Sequence, residues 1–338
     1  MRRGLGGCVR LAAAALLLLV SAAASAQAGS LSAPGYRYYE IGDLDAPRPQ
    51  PAQAAMMLMG GGDWVPEAFH WWVERAGHGR VVILRASGGD DLQQELYRDI
   101  GGVTAVQTLV FDSRKAADDP AVLRVVRAAD AIFIAGGDQA RYIRFWKDTG
   151  LNRALNEHVA AGKPIGGTSA GLAILGGYSY GALDGGSIDS ATALRDPMGA
   201  AVTLDRDFLS LPYLSNVVTD THFAKRDRLG RLIVFVARAA RDKQEGMVGI
   251  GVDEDTALCV EADGSARVHS LVDGYAWLVA PQHAPERLDD GSALQFPAVP
   301  VTGIGGGSRL QMDGLQVERP AFQLLASVVD GQLELQPQ

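Results

Sequence analysis

From Ala54 onward the chain alternates short, unbroken apolar runs with longer amphipathic stretches. Ala55-Met56-Met57-Leu58-Met59 reads as a strand apolar on both faces, closed by Gly60-Gly61-Gly62-Asp63. Pro66 to Ala76 then predicts a helix, Arg80 to Leu84 a second strand, Leu92 to Ile100 a second helix, and Val106 to Phe111 a third strand. Pro120, suited to a first helical turn, opens a helix to Ala128. Ala131 to Ala135 is a fourth strand ending in Gly136-Gly137-Asp138-Gln139. A long helix to about Ala161 follows, and Lys163-Pro164-Ile165-Gly166 then leads a strand into Gly167-Thr168-Ser169-Ala170-Gly171. Apolar strands separated by helices predict an α/β fold of three layers, a mostly parallel sheet with helices on both faces. Chemistry on such sheets gathers at the carboxyl ends of strands. Gly60 to Asp63, Gly136 to Gln139 and Ser169 all fall there.

The flanks read differently. Arg2, Arg3 and Arg10 precede an apolar run from Leu11 to Val20, and Ala24-Ser25-Ala26 fits a small-residue cleavage site. Residues 1–26 therefore read as a secretory signal peptide, which predicts a secreted, periplasmic or extracellular protein of about 312 residues. Its removal takes three positive charges and no acidic ones, so the net charge goes from −8 to −11. An acidic chain is a poor general binder of nucleic acid or of an anionic membrane. No later apolar run is long enough to span a bilayer. Cys8 leaves with the signal, and Cys259 alone cannot form an internal disulfide. Residues 27–53, rich in Pro, Ala, Gly and Gln, read as an extended leader. Residues 54–280 read as the main domain. Residues 281–338 carry strand and turn patterns, the signature of a β-rich extension or a dimer surface, so a homodimer is one expectation.

The pentapeptide around Ser169 has the G-x-S-x-G pattern at a strand-to-helix junction, which is a nucleophile elbow. Small neighbours let the turn close and lift the hydroxyl above the sheet. The glycine-rich strand ends do not read as nucleotide loops. Gly60 to Gly62 lacks the G-x-G-x-x-G spacing, and no G-x-x-x-x-G-K-[ST] occurs. Gly136-Gly137 better suits close backbone approach, with the Gly137 N–H and the Ala170 N–H as an oxyanion hole. A serine nucleophile needs a base. Of six histidines, His222 alone ends an apolar segment, in Asp220-Thr221-His222-Phe223. The acid that orients it is one of Asp253, Glu254 and Asp255, which end another strand. This chemistry needs no metal or cofactor.

Four motifs occur in order: Gly136 to Gln139; Gly167 to Gly171; Asp220 to Phe223 with Arg226, Arg228, Leu229, Gly230 and Arg231; and Gly249 to Ala257. Over roughly Ala54 to Val260 the chain resembles the cyanophycinase-like serine peptidases, the family that also holds the α-aspartyl dipeptidases. The resemblance implies a fold similar to the class I glutamine amidotransferase domain, with serine in place of cysteine. It implies a triad of Ser169, His222 and Glu254, in a chain order unlike that of α/β-hydrolases. It also implies a substrate, cyanophycin: a polyaspartate backbone with arginine on each β-carboxyl, cut to β-Asp-Arg dipeptides. Gln139, Asp220 and Thr221 would then contact the substrate, Asp220 being suited to a guanidinium. Arg226, Arg228 and Arg231 would meet aspartyl carboxylates. The family pattern has glutamine where this chain has the shorter Thr221. The stretch between Ser169 and His222 is enlarged and reads as a lid or pocket wall. Two other functions fit: a peptidase for other acidic peptides, and a binding protein that keeps the elbow without catalysis.

Overall fold

A computed structural model describes residues 29–243 and 246–338. The signal-peptide expectation for residues 1–26 lies outside them. Strands β1 (Gly29–Ala33) and β2 (Tyr36–Gly42) open the described chain, followed by β3 (Ala55–Met59), α1 (Pro66–Arg75), β4 (Arg80–Arg85) and α2 (Asp91–Glu95). Then come β5 (Ala105–Phe111), α3 (Pro120–Ala128), β6 (Ala131–Ile134), α4 (Gln139–Trp146), α5 (Gly150–Ala160), β7 (Ile165–Thr168) and the short α6 (Ala170–Ala173). Five of these strands, β5-β4-β6-β7-β3, pair in parallel and form the centre of the first sheet.

The unbroken apolar runs are explained by burial on both faces. In β3, Met56 and Leu58 join a core covered by α3, α4 and α5, while Met57 and Met59 face a core built with Phe69 and Trp72 of α1. Helices thus lie on both faces, as the alternation predicts. The single long helix predicted up to Ala161 is two helices. Asp148 takes a left-handed conformation, and the Thr149 hydroxyl then accepts the Asn152 N–H as the cap of α5.

The stretch read as a leader contributes structure. β1 and β2 form a hairpin, and β2 pairs antiparallel with β5 along its whole length. Tyr36 and Ile41 are buried by this pairing, whereas the intervening positions are only half-buried, which hides the strand in a polar sequence.

A second sheet follows. It begins with β8 (Tyr178–Tyr180), α7 (Ser190–Arg195), β9 (Leu204–Arg206), β10 (Val217–Asp220), α8 (Leu229–Lys243) and β11 (Val248–Val252). β12 (Thr256–Glu261) returns to the first sheet beside β3, and β13 (Ser265–Ser270) pairs with it. β14 (Ala276–Val279) pairs with β11. In the tail, β15 (Phe296–Ile304) extends the second sheet, and β16 (Arg309–Gln311) and β17 (Gln316–Glu318) extend the first. β18 (Phe322–Val329) and β19 (Gln332–Pro337) complete the second. The C-terminal residues are therefore woven into both sheets. One face of the second sheet shares the larger core through Ile250 and Leu278. The other is covered by α8 through Leu232 and Val236. β3 and β7 of the first sheet and β10 and β11 of the second end near one another, and the residues after these four strands make the site.

Candidate active site

Ser169 follows β7 with φ 52° and ψ −121°, a conformation that only a tightly held non-glycine residue adopts. The residues two positions before and after it must be glycine. A β-carbon on Gly167 would lie 2.7 Å from the Gly171 backbone, and one on Gly171 would lie 2.0 Å from the Ile134 carbonyl. The Ser169 N–H bonds the Met59 carbonyl at the end of β3, at 3.2 Å. The hydroxyl is thereby directed at His222, with Oγ 2.7 Å from Nε2.

His222 leaves β10 and also has positive φ, 46°. Its N–H donates to the Gly60 carbonyl at 2.7 Å. Gly61 supplies the flat surface on which the ring rests. On its other side, Nδ1 meets Glu254 Oε1 at 2.6 Å. That contact makes Nδ1 the protonated nitrogen and leaves Nε2 as the acceptor for the serine hydroxyl. Burial pulls the imidazole below its ordinary pKa of 6.5, and the charges of Arg226 and Arg228 pull the same way. The Glu254 contact opposes them. The ring is therefore neutral, and able to take a proton, at neutral pH.

The structure separates the three acids that the sequence leaves open. Asp253 accepts the backbone N–H groups of Ala224 and Tyr275 and the Trp277 indole, pinning the turn after His222 to β14. Asp255 accepts the Asp63 N–H at 2.6 Å and holds the glycine-rich turn after β3. Glu254 alone of the three touches the imidazole.

Gly136 and Gly137 follow β6 and bring its end beside Ser169. A β-carbon on Gly136 would lie 3.3 Å from Ser169 Cβ, and Gly137 has φ 147°, a conformation that suits glycine. Among the described residues, neither the Gly137 N–H nor the Ala170 N–H meets a backbone or side-chain acceptor. Both N–H groups therefore remain unspent donors.

The substrate-contact set divides. Gln139 is half-buried at the start of α4, and Arg226 is exposed one turn beyond His222. The other four residues, Asp220, Thr221, Arg228 and Arg231, are buried. Arg231 is 2% exposed and grips Asp220, itself 2% exposed, with Nε 2.7 Å from Oδ2 and a second, short bond to Oδ1. It also bonds Ser187 Oγ and the Ile188 carbonyl. Arg228 donates to the Thr221 carbonyl and hydroxyl at 2.8 and 2.9 Å. Burial lowers its pKa to about 10, so it remains a cation. Asp220, Thr221, Arg228 and Arg231 are thus joined in one cluster of contacts among themselves. The arginines of α8 and its approach fold back onto the strand end that carries His222. The enlarged segment between Ser169 and His222 joins this cluster through Ser187 and Ile188, and so acts as a buttress behind the site. Sequence reasoning missed the supporting role of Gly61. The run Gly60 to Gly62 at a strand end was its visible signal.

Comparison with known proteins places this geometry in a family. The pattern of peptidase family S51 matches residues 94–268, which include Ser169, His222 and Glu254. The chain belongs to peptidase family S51. Cyanophycinase from Synechococcus elongatus is 38% identical over 191 residues, 55% of this chain and 54% of the relative. The chain thus spans about half the length of that relative. Cyanophycinase from Trichormus variabilis is 29% identical over 238 residues, 67% of this chain and 74% of its own. Among solved structures, a peptidase from an acI-B1 actinobacterium is 16% identical, with TM-score 0.44, covering 84% of this chain and 98% of that one.

Proposed function

We propose that this S51-family chain is a secreted serine peptidase that hydrolyses cyanophycin to β-Asp-Arg dipeptides through an acyl-enzyme on Ser169. The observation that carries the reading is the continuous relay from Ser169 Oγ to His222 Nε2, 2.7 Å, and from His222 Nδ1 to Glu254 Oε1, 2.6 Å. A seryl hydroxyl is a weak nucleophile until a base removes its proton as it attacks. His222 takes that proton and becomes a cation beside Glu254, whose negative charge stabilises it. The carbonyl oxygen of the aspartyl bond acquires negative charge and is met by the N–H groups of Gly137 and Ala170. The imidazolium then gives its proton to the leaving amine. Water repeats the sequence on the ester and frees Ser169. Arg226, exposed beside the base, is the cation suited to a substrate carboxylate.

The substrate assignment draws on the motifs shared with the cyanophycinase-like peptidases and on the cyanophycinases among the relatives. The secreted location draws on the arginines, apolar run and small-residue site of residues 1–26. A second reading, a peptidase for other acidic peptides, is favoured by one observation: Asp220, suited to a substrate guanidinium, is occupied by Arg228 and Arg231. A fluorophosphonate probe followed by peptide mapping tests the chemistry. Labelling of Ser169, lost in Ser169→Ala, is expected. A wild-type protein that does not label is a binding protein that keeps an inert elbow.

A further inference from the structure

Tyr142 lies on α4, one turn beyond the glycine pair at the end of β6. Its side chain is fully buried, stacked on Trp146 at 4.3 Å between ring centroids. An aromatic residue on a covered helix face reads as core. Its hydroxyl, however, is directed at the backbone of the site. Oη lies 2.8 Å from the Ala135 carbonyl and 3.0 Å from the Gly136 carbonyl. Burial raises the phenol pKa, so the group is an O–H donor at any working pH.

The Gly136 carbonyl and the Gly137 N–H belong to one peptide unit. In a trans peptide the two point in opposite directions, and the described chain has no cis bond. The one hydroxyl proton is shared between the Ala135 and Gly136 carbonyls, and its hold on the Gly136 oxygen turns the Gly137 N–H to the opposite side of the peptide. The same peptide could otherwise rotate, because glycines on both sides leave its torsions free. Gly137 is already at φ 147°, and its hypothetical β-carbon would fall 3.3 Å from the Tyr142 oxygen. The helix carries no other donor to this carbonyl among the described residues.

We propose that Tyr142 is a positioning residue for the oxyanion hole: its hydroxyl fixes the Gly136–Gly137 peptide so that the Gly137 N–H faces the developing oxyanion. The proposal rests on the serine-peptidase reading. It differs from a packing role, because the ring fills the core while the oxygen holds the backbone of Ala135 and Gly136.

The test is Tyr142→Phe, which keeps the ring and its stack and removes only the oxygen. Losing an oxyanion donor outright costs about 10²–10³ in kcat, so loosening one is expected to lower kcat about tenfold or more. KM should stay within about twofold, because the carbonyl gains its charge only in the transition state. Ser169 phosphonylation by a fluorophosphonate should slow in parallel, and the melting temperature should fall by only a few degrees, the cost of leaving the carbonyls without their donor. Gly137→Ala is the companion variant and should lose at least as much kcat. Unchanged kcat and labelling in folded Tyr142→Phe, with the wild type active, overturns the proposal and leaves the serine-peptidase reading intact. A loss carried only by KM or by the melting temperature also overturns it. A wild type that neither turns over substrate nor labels removes the underlying reading, and the proposal with it.

Discussion

Gly61 lies against the imidazole of His222 so closely that a β-carbon there would sit 2.3 Å from Cε1. The glycine has φ +109°, so a side chain would be strained as well as crowded. Gly61→Ala is expected to push the ring off Ser169 and Glu254. Catalytic geometry tolerates little displacement, and kcat/KM should fall about 100-fold. Steady-state kinetics beside a thermal melt checks this. Near-wild-type kinetics would mean that the ring is positioned by other contacts.

Three consecutive carboxylates follow β11, and the structure gives them different work. Glu254→Gln keeps the shape but removes the charge that steadies the imidazolium. Its kcat should fall about 10³-fold or more, with little change in melting temperature. Asp253→Asn and Asp255→Asn should instead lower the melting temperature and leave kcat within about tenfold. Kinetics and melts on the three variants check the assignment.

Much of this site is legible in the sequence, and the boundary has physical causes. The elbow is legible because the turn at Ser169 tolerates only glycine at 167 and 171, and this leaves a pattern. The parallel strands are legible because burial on both faces demands unbroken apolar runs such as Met56 to Met59. Which acid meets His222 is not legible from residues alone, since a tight turn sends three adjacent side chains in different directions. The resemblance names Glu254, and the 2.6 Å contact gives the physical reason. The inward turn of Arg231 is not legible either. Arginine eleven residues after Asp220 suits a solvated helix face or a substrate contact equally, until the path between Phe223 and Leu229 is known. β2 is hidden because only Tyr36 and Ile41 of its seven residues are buried.

The Arg231–Asp220 pair predicts a separation of stability from binding. Arg231→Met leaves Asp220 buried without its two-pronged partner. Breaking such a pair costs about 3–5 kcal/mol, read as a lower urea midpoint at unchanged slope. Lysine does not reproduce the fork, so Arg231→Lys should recover only part of the loss. A variant with an unchanged midpoint and a raised KM would place Arg231 on the substrate instead.

His158 predicts a pH dependence of stability. It is buried on α5, with Nε2 3.0 Å from the Pro164 carbonyl just before β7. Burial holds its pKa at about 4, below the ordinary 6.5. The folded state therefore binds this proton less readily than the unfolded chain. The contribution is whole above pH 6.5 and is lost as the pH falls toward 4. The full shift corresponds to about 3 kcal/mol. In urea titrations at several pH values, the stability gap between wild type and His158→Gln should narrow on acidification. A constant gap would contradict the assignment.

The most direct test of the account is incubation of the mature protein with cyanophycin, with the soluble products identified by mass spectrometry. The account predicts β-Asp-Arg dipeptide from wild type and none from Ser169→Ala. Intact polymer and no dipeptide from a wild type whose Ser169 still labels would contradict the proposed substrate. Dipeptide release that survives Ser169→Ala would contradict the mechanism.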